Sequence, residues 1–154
     1  MRAPLLLATA ISSVVSADVR ILPEQVSSYQ TKYGPVVPET LPTGVRVFRS
    51  IPYAAPPIGK LRWAAPQPPR PWTTPLVTST FPPMCIQSAT ANHVGSEDCL
   101  YLYVYTTSAP NSSDRKPVLL WVHGGGLITG DGFLGGIYDG SRLVSARDGG
   151  CLIC

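Results

Sequence analysis

The sequence predicts an α/β fold in which only the opening strands of a larger sheet are present. Residues 100–105 (Leu-Tyr-Leu-Tyr-Val-Tyr) and 117–122 (Pro-Val-Leu-Leu-Trp-Val) are apolar or aromatic on both faces, as strands buried inside an α/β sheet are. The 154 residues also include 17 Pro and 14 Gly, with proline at about twice its average usage. Between Leu22 and Pro83 no window keeps a helical apolar period, because prolines recur too often for one to persist. That half should be short strands and extended loops, which need a scaffold larger than this chain supplies. An incomplete sheet is the expectation.

The elements follow in chain order. Residues 1–17 read as a secretory signal peptide: Arg2 is the positive n-region, residues 3–15 are a short apolar run, and Val15-Ser16-Ala17 is a small-x-small cleavage pattern. The run is too short and too rich in small residues to span a membrane, and no other stretch approaches that length. The chain is therefore expected to be secreted, without a membrane anchor. Residues 45–48 read as a strand, followed by a turn-rich stretch over 51–57. A proline-dense segment at 66–83 carries Trp72 and has too few free N–H groups for central pairing. Asn111-Ser112-Ser113, on a polar turn before the second apolar strand, is an N-glycosylation acceptor, which suits an exposed loop of a secreted protein. The formal net charge of +3 is spread without clusters, so no nucleic-acid footprint is expected.

The chemistry concentrates where the second strand ends. Trp121-Val-His123 runs into Gly124-Gly125-Gly126, where no side chain stands between the backbone N–H groups and a ligand. Ester hydrolysis needs such donors, because the tetrahedral intermediate places negative charge on the former carbonyl oxygen. A His-Gly-Gly-Gly loop after a strand forms half of the oxyanion hole in lipases and esterases. The other half is not in the sequence. No Gly-x-Ser-x-Gly elbow occurs, and the two histidines, His93 and His123, both precede any position where an elbow could follow. His123 is expected to position the glycine loop and His93 to be a solvated loop residue.

Wider motifs then fall into order. Phe48-Arg-Ser-Ile-Pro-Tyr-Ala-Ala-Pro-Pro57 is followed by Gly59-Lys-Leu-Arg62, Pro66 and Trp72. Ser96-Glu-Asp-Cys-Leu-Tyr-Leu-Tyr-Val-Tyr105, the stretch 117–130, and Asp139, Gly140 and Leu143 complete the series. This set resembles the type-B carboxylesterase/cholinesterase family over about residues 45–148. The resemblance implies an α/β-hydrolase fold, with residues 18–148 as the N-terminal part of the esterase domain. It implies a serine acyl-enzyme mechanism on a small carboxylic ester, with no cofactor and no metal. Gly125 and Gly126 would be oxyanion donors, and Gly124 would give the backbone room to turn. Cys85 and Cys99 match the family's first disulfide, which would restrict the unfolded chain by ~3 kcal/mol. Arg62 and Glu97 match a buried structural ion pair. The loop between the two cysteines is short and lacks Trp, unlike a choline site or a long lipase flap. Ser50, Tyr103 and Leu127 depart from the family's Gly, Asn and Phe.

Two further patterns are discounted. Gly130-Asp-Gly-Phe-Leu-Gly135 spells a dinucleotide fingerprint but follows a Thr and glycines instead of a strand. Residues 149–154, ending Cys151-Leu-Ile-Cys154, leave the family pattern after Asp148. They lack the following helix that would make a redox pair, and prenylation is incompatible with secretion. A frameshift, retained intron or misassigned exon accounts for such a tail. The expected function is thus ester hydrolysis by family, with this chain inactive because the triad serine, acid and histidine are absent. The alternatives are an esterase-like binding or adhesion module without catalysis, and a truncated gene product whose unpaired sheet edge aggregates.

Overall fold

A computed structural model describes residues 27–87, 95–109, 113, 115–146 and 151–153. Two sheets carry the fold. The smaller has three strands in the order β1 (Tyr29–Gln30), β2 (Pro35–Val37) and β5 (Leu76–Val77). The larger has five, in the order β3 (Glu39–Thr40), β4 (Arg46–Pro52), β6 (Tyr101–Thr106), β8 (Cys151–Ile153) and β7 (Val118–Leu120). The proline-dense half forms no α-helix among the described residues, only a 3₁₀ turn at Gly59–Leu61. Within it, β5, which follows Pro75, pairs in parallel with β2 and with no other strand among the described residues.

The centre of the main sheet is the antiparallel pair β4–β6. Its register places Val47 opposite Tyr105 and Phe48 opposite Val104. Because side chains alternate along a strand, the two pairs lie on opposite faces. On one face Val45, Val47, Tyr103 and Tyr105 form the core with Val144 of the helix α1 (Ser141–Ala146). On the other, Phe48 meets the Tyr29 ring edge-on at 5.1 Å, so the small sheet covers this side. Thr78 extends the β2–β5 ladder, donating its N–H to the Val37 carbonyl at 2.9 Å, and its own carbonyl joins the sheets by accepting the Arg49 N–H at 2.8 Å. Trp72 pins the proline-rich segment, donating Nε1–H to the Pro35 carbonyl at 2.8 Å.

Three elements differ from the sequence expectation. The strand expected at 45–48 runs on to Pro52 through a bulge between Phe48 and Ile51. The strand expected at 117–122 is only Val118–Leu120, and it is not buried: these residues are 63%, 52% and 67% exposed. The reason is position. β7 is the edge of the sheet, and its one partner, β8, is three residues long, so the ladder stops at Leu120. Finally, residues 151–153 of the tail form a strand between β6 and β7, antiparallel to the first and parallel to the second. The β7–α1–β8 crossover therefore brings the chain back inside its own preceding strand.

Candidate functional site

The parallel pair β7–β8 directs the C-terminal end of β7 out of the sheet, which is where α/β sheets place their ligand sites. Residues 121–128 there are all exposed, including His123 and the three glycines. The chain turns on Gly125, whose carbonyl accepts the N–H groups of Ile128 and Thr129, each at 3.1 Å, and the Thr129 hydroxyl at 3.3 Å. Gly125 has φ +125°, and a Cβ built there would lie 1.8 Å from the Thr129 carbonyl oxygen. Only glycine closes this turn. Among the described residues the Gly125 and Gly126 N–H groups have no acceptor, while the Gly125 carbonyl is fully engaged. The Gly125 carbonyl is thus engaged within the turn, while the N–H groups of the exposed Gly125 and Gly126 are not.

Several groups support it. His123 Nδ1 lies 2.8 Å from the Gly124 carbonyl oxygen, so the histidine sits against the loop it was expected to position. The buried Gln87 side chain reaches Gly130 with both ends of its amide: Nε2–H donates to the Gly130 carbonyl at 2.6 Å, and Oε1 accepts the Gly130 N–H at 2.9 Å. Tyr103, one of the departures from the family pattern, packs where a Cβ on Gly132 would come within 2.9 Å of its ring. Asp131 Oδ1 accepts the Phe133 N–H at 2.7 Å, opening a 3₁₀ turn and not the helix a dinucleotide fingerprint would need. Leu127, where the family has Phe, sits fully exposed at φ +61°. Nothing in the sequence singled out Gln87. Its one signal is that it lies two residues after Cys85.

The remaining predicted residues lie elsewhere. Cys85 and Cys99 are joined by a disulfide, with Cα atoms 5.0 Å apart. Arg62 and Glu97 form a two-pronged pair at 2.6 and 2.7 Å. The expectation that this pair is buried does not hold: the Arg62 side chain is 54% exposed, because no described element packs over it. Hydrogen bonding to Arg62 holds the Glu97 carboxyl below its usual range, and Glu97 in turn raises the guanidinium. Asn111, His93 and residues 1–17 lie outside the described residues. An apolar cavity of about 470 Å³ opens among Pro52, Ala55, Leu61, Pro69 and Tyr101, and none of the glycine-turn residues lines it. A shallower groove beside β7 is lined by Trp121, Tyr138 and Leu143.

The family model described as the carboxylesterase family matches residues 25–149. The chain belongs to the carboxylesterase family. This carboxylesterase-family chain is 36% identical over 158 residues to a medium-chain fatty acyl-CoA hydrolase precursor of Anas platyrhynchos, covering 92% of the chain and 28% of that protein. It is 43% identical over 119 residues to carboxylesterase 1D of Rattus norvegicus, covering 68% of the chain and 20% of the relative. Its structure is similar to Geobacillus stearothermophilus carboxylesterase EST55, with a TM-score of 0.71, 31% identity, and coverage of 82% and 25% of the two chains. It therefore has the α/β-hydrolase fold, as part of the sheet, and spans about a quarter or less of these relatives' length.

Proposed function

We propose that this chain carries the oxyanion-binding part of a serine hydrolase acting on small carboxylic esters. One observation carries the reading: two surface N–H groups, on Gly125 and Gly126, without acceptors among the described residues, at the C-terminal end of a parallel strand. In a hydrolase the substrate carbonyl oxygen would sit against these donors and gain negative charge as the serine adds. A third N–H, from the residue after the nucleophile, would complete the hole, and water would then release the acyl group. Gly124 supplies the room for the backbone to turn. The mechanism needs no metal or cofactor.

The serine, acid and histidine of the triad are absent from this sequence, so the 154-residue chain by itself is inactive. Residues 1–17 direct secretion, residues 18–148 are the N-terminal part of the esterase domain, and Asn111 is glycosylated. An oxidising compartment suits the Cys85–Cys99 bridge. The test is incubation with a p-nitrophenyl ester and a fluorophosphonate probe. The 154-residue product should neither turn over the ester nor be labelled. A longer product of the same gene that contains Gly-x-Ser-x-Gly should be labelled on that serine. Labelling of the short chain, or silence of the long one, overturns the reading.

A further inference from the structure

We propose that Gln87 is a positioning residue for the glycine turn, holding its far end by clasping the backbone of Gly130. The segment from Gly124 to Gly132 contains five glycines, and glycine loses more conformational freedom on ordering than any other residue. Such a loop needs an external pin to keep one conformation. β7 fixes its near end. At the far end, the Gln87 amide meets Gly130 as a neighbouring strand would, giving a donor to its carbonyl and an acceptor to its N–H. A side-chain amide carries an N–H donor and a C=O acceptor side by side on one rigid plane, the pairing that a single backbone residue presents.

The clasp point touches the turn itself. Gly130 has φ +103°, and a Cβ there would lie 2.7 Å from the Gly124 carbonyl oxygen and 2.9 Å from His123 Nδ1. Displacing Gly130 therefore displaces Gly124 or His123. Gln87 is itself anchored. Two residues earlier, Cys85 is bridged to Cys99, which lies just before β6, and Cys85 also forms a backbone bridge with Ser96. The path runs from the sheet through the disulfide and Gln87 to Gly130. Its meaning for catalysis rests on the oxyanion reading of the turn; the clasp does not.

Gln87→Glu turns the clasp into a pH-dependent one. A protonated carboxyl offers one donor and one acceptor, as the amide does, whereas an ionised one sets a bare acceptor against the Gly130 carbonyl. The titratable neighbours on the loop, His123 and Asp131, are unchanged by the substitution, so wild type at each pH is the reference. Full-length chains with Gln87, Gln87→Glu and Gln87→Ala are compared by amide exchange at Gly130 and by the backbone amide resonances of Gly124–Gly126. Gln87→Ala should lower the Gly130 protection factor about tenfold or more and shift the glycine resonances. Gln87→Glu should match Gln87→Ala at neutral pH and return toward wild type on acidification.

Equal protection in all three chains, or an unprotected Gly130 in wild type, overturns the proposal. So do unmoved glycine resonances in the presence of lost protection. If Gln87→Ala unfolds the β4–β6 pair, the acid response of Gln87→Glu decides: recovery supports the clasp, and its absence overturns it. An intact clasp in a gene product whose longer form takes no fluorophosphonate would sink the hydrolase reading alone.

Discussion

At the residue scale, hydrogen bonding fixes individual groups in one arrangement. The Gly125 carbonyl accepts from three donors, while its own N–H has no acceptor among the described residues. Tyr101 shows the same logic on a titratable group. Burial is the main cause that pushes its phenol from an ordinary 10.0 up to about 12, helped by a 2.8 Å bond to the Asp98 carboxylate, which favours the neutral, donating form. Because the folded value is raised, the resulting stabilisation is fully present below pH 10 and lost as the pH rises through about 12. An alkaline titration of phenolate absorbance should show a late tyrosine near 12 that disappears in Tyr101→Phe. If the late transition persists in that variant, the assignment to Tyr101 is wrong.

At the scale of elements, the Cys85–Cys99 bridge ties an irregular segment to the start of β6. It closes a loop with a sequence separation of 14, and removing it should cost about 3 kcal/mol in unfolding free energy. The double variant Cys85→Ser/Cys99→Ser, compared with the oxidised chain in urea, measures this. A difference below ~1 kcal/mol would mean that the unfolded segment is already constrained.

At the scale of the whole molecule, the salient feature is the open edge of the five-stranded sheet. Val118, Leu119 and Leu120 are apolar and mostly exposed, and among the described residues β7 pairs on one side only. Strands of this kind recruit other chains. The weight-average mass should therefore rise with concentration in sedimentation velocity. Leu119→Lys, a charge set on the edge, should suppress that rise; equal association by both chains would exclude β7 as the contact.

How much was legible in advance depends on the range of the interaction. The strands at 45–48 and 100–105 announce themselves through apolar, β-forming residues because that signal is local, but the run of the first on to Pro52 falls in a stretch that reads as turn-rich. The resemblance to esterases was readable for the same reason: it is carried by short contiguous motifs such as 96–105 and 121–126. Burial and pairing are not local. The sequence could not show that an apolar run, 118–120, lies at an edge, because exposure depends on which strand comes to lie beside it. It could not show that the Arg62–Glu97 pair is open to solvent, or that 151–153 slides between β6 and β7. Nor could it show that Gln87 meets Gly130, since a clasp across 43 positions exists only once the chain has closed upon itself. What the residues alone determined about this protein is part of an α/β sheet of the carboxylesterase family, with a glycine-rich turn after a strand. What the tertiary structure decided is which faces are covered, which edge is bare, and what holds that turn still, because solvent exclusion and hydrogen bonding between distant segments are properties of the packed chain and not of any stretch of it.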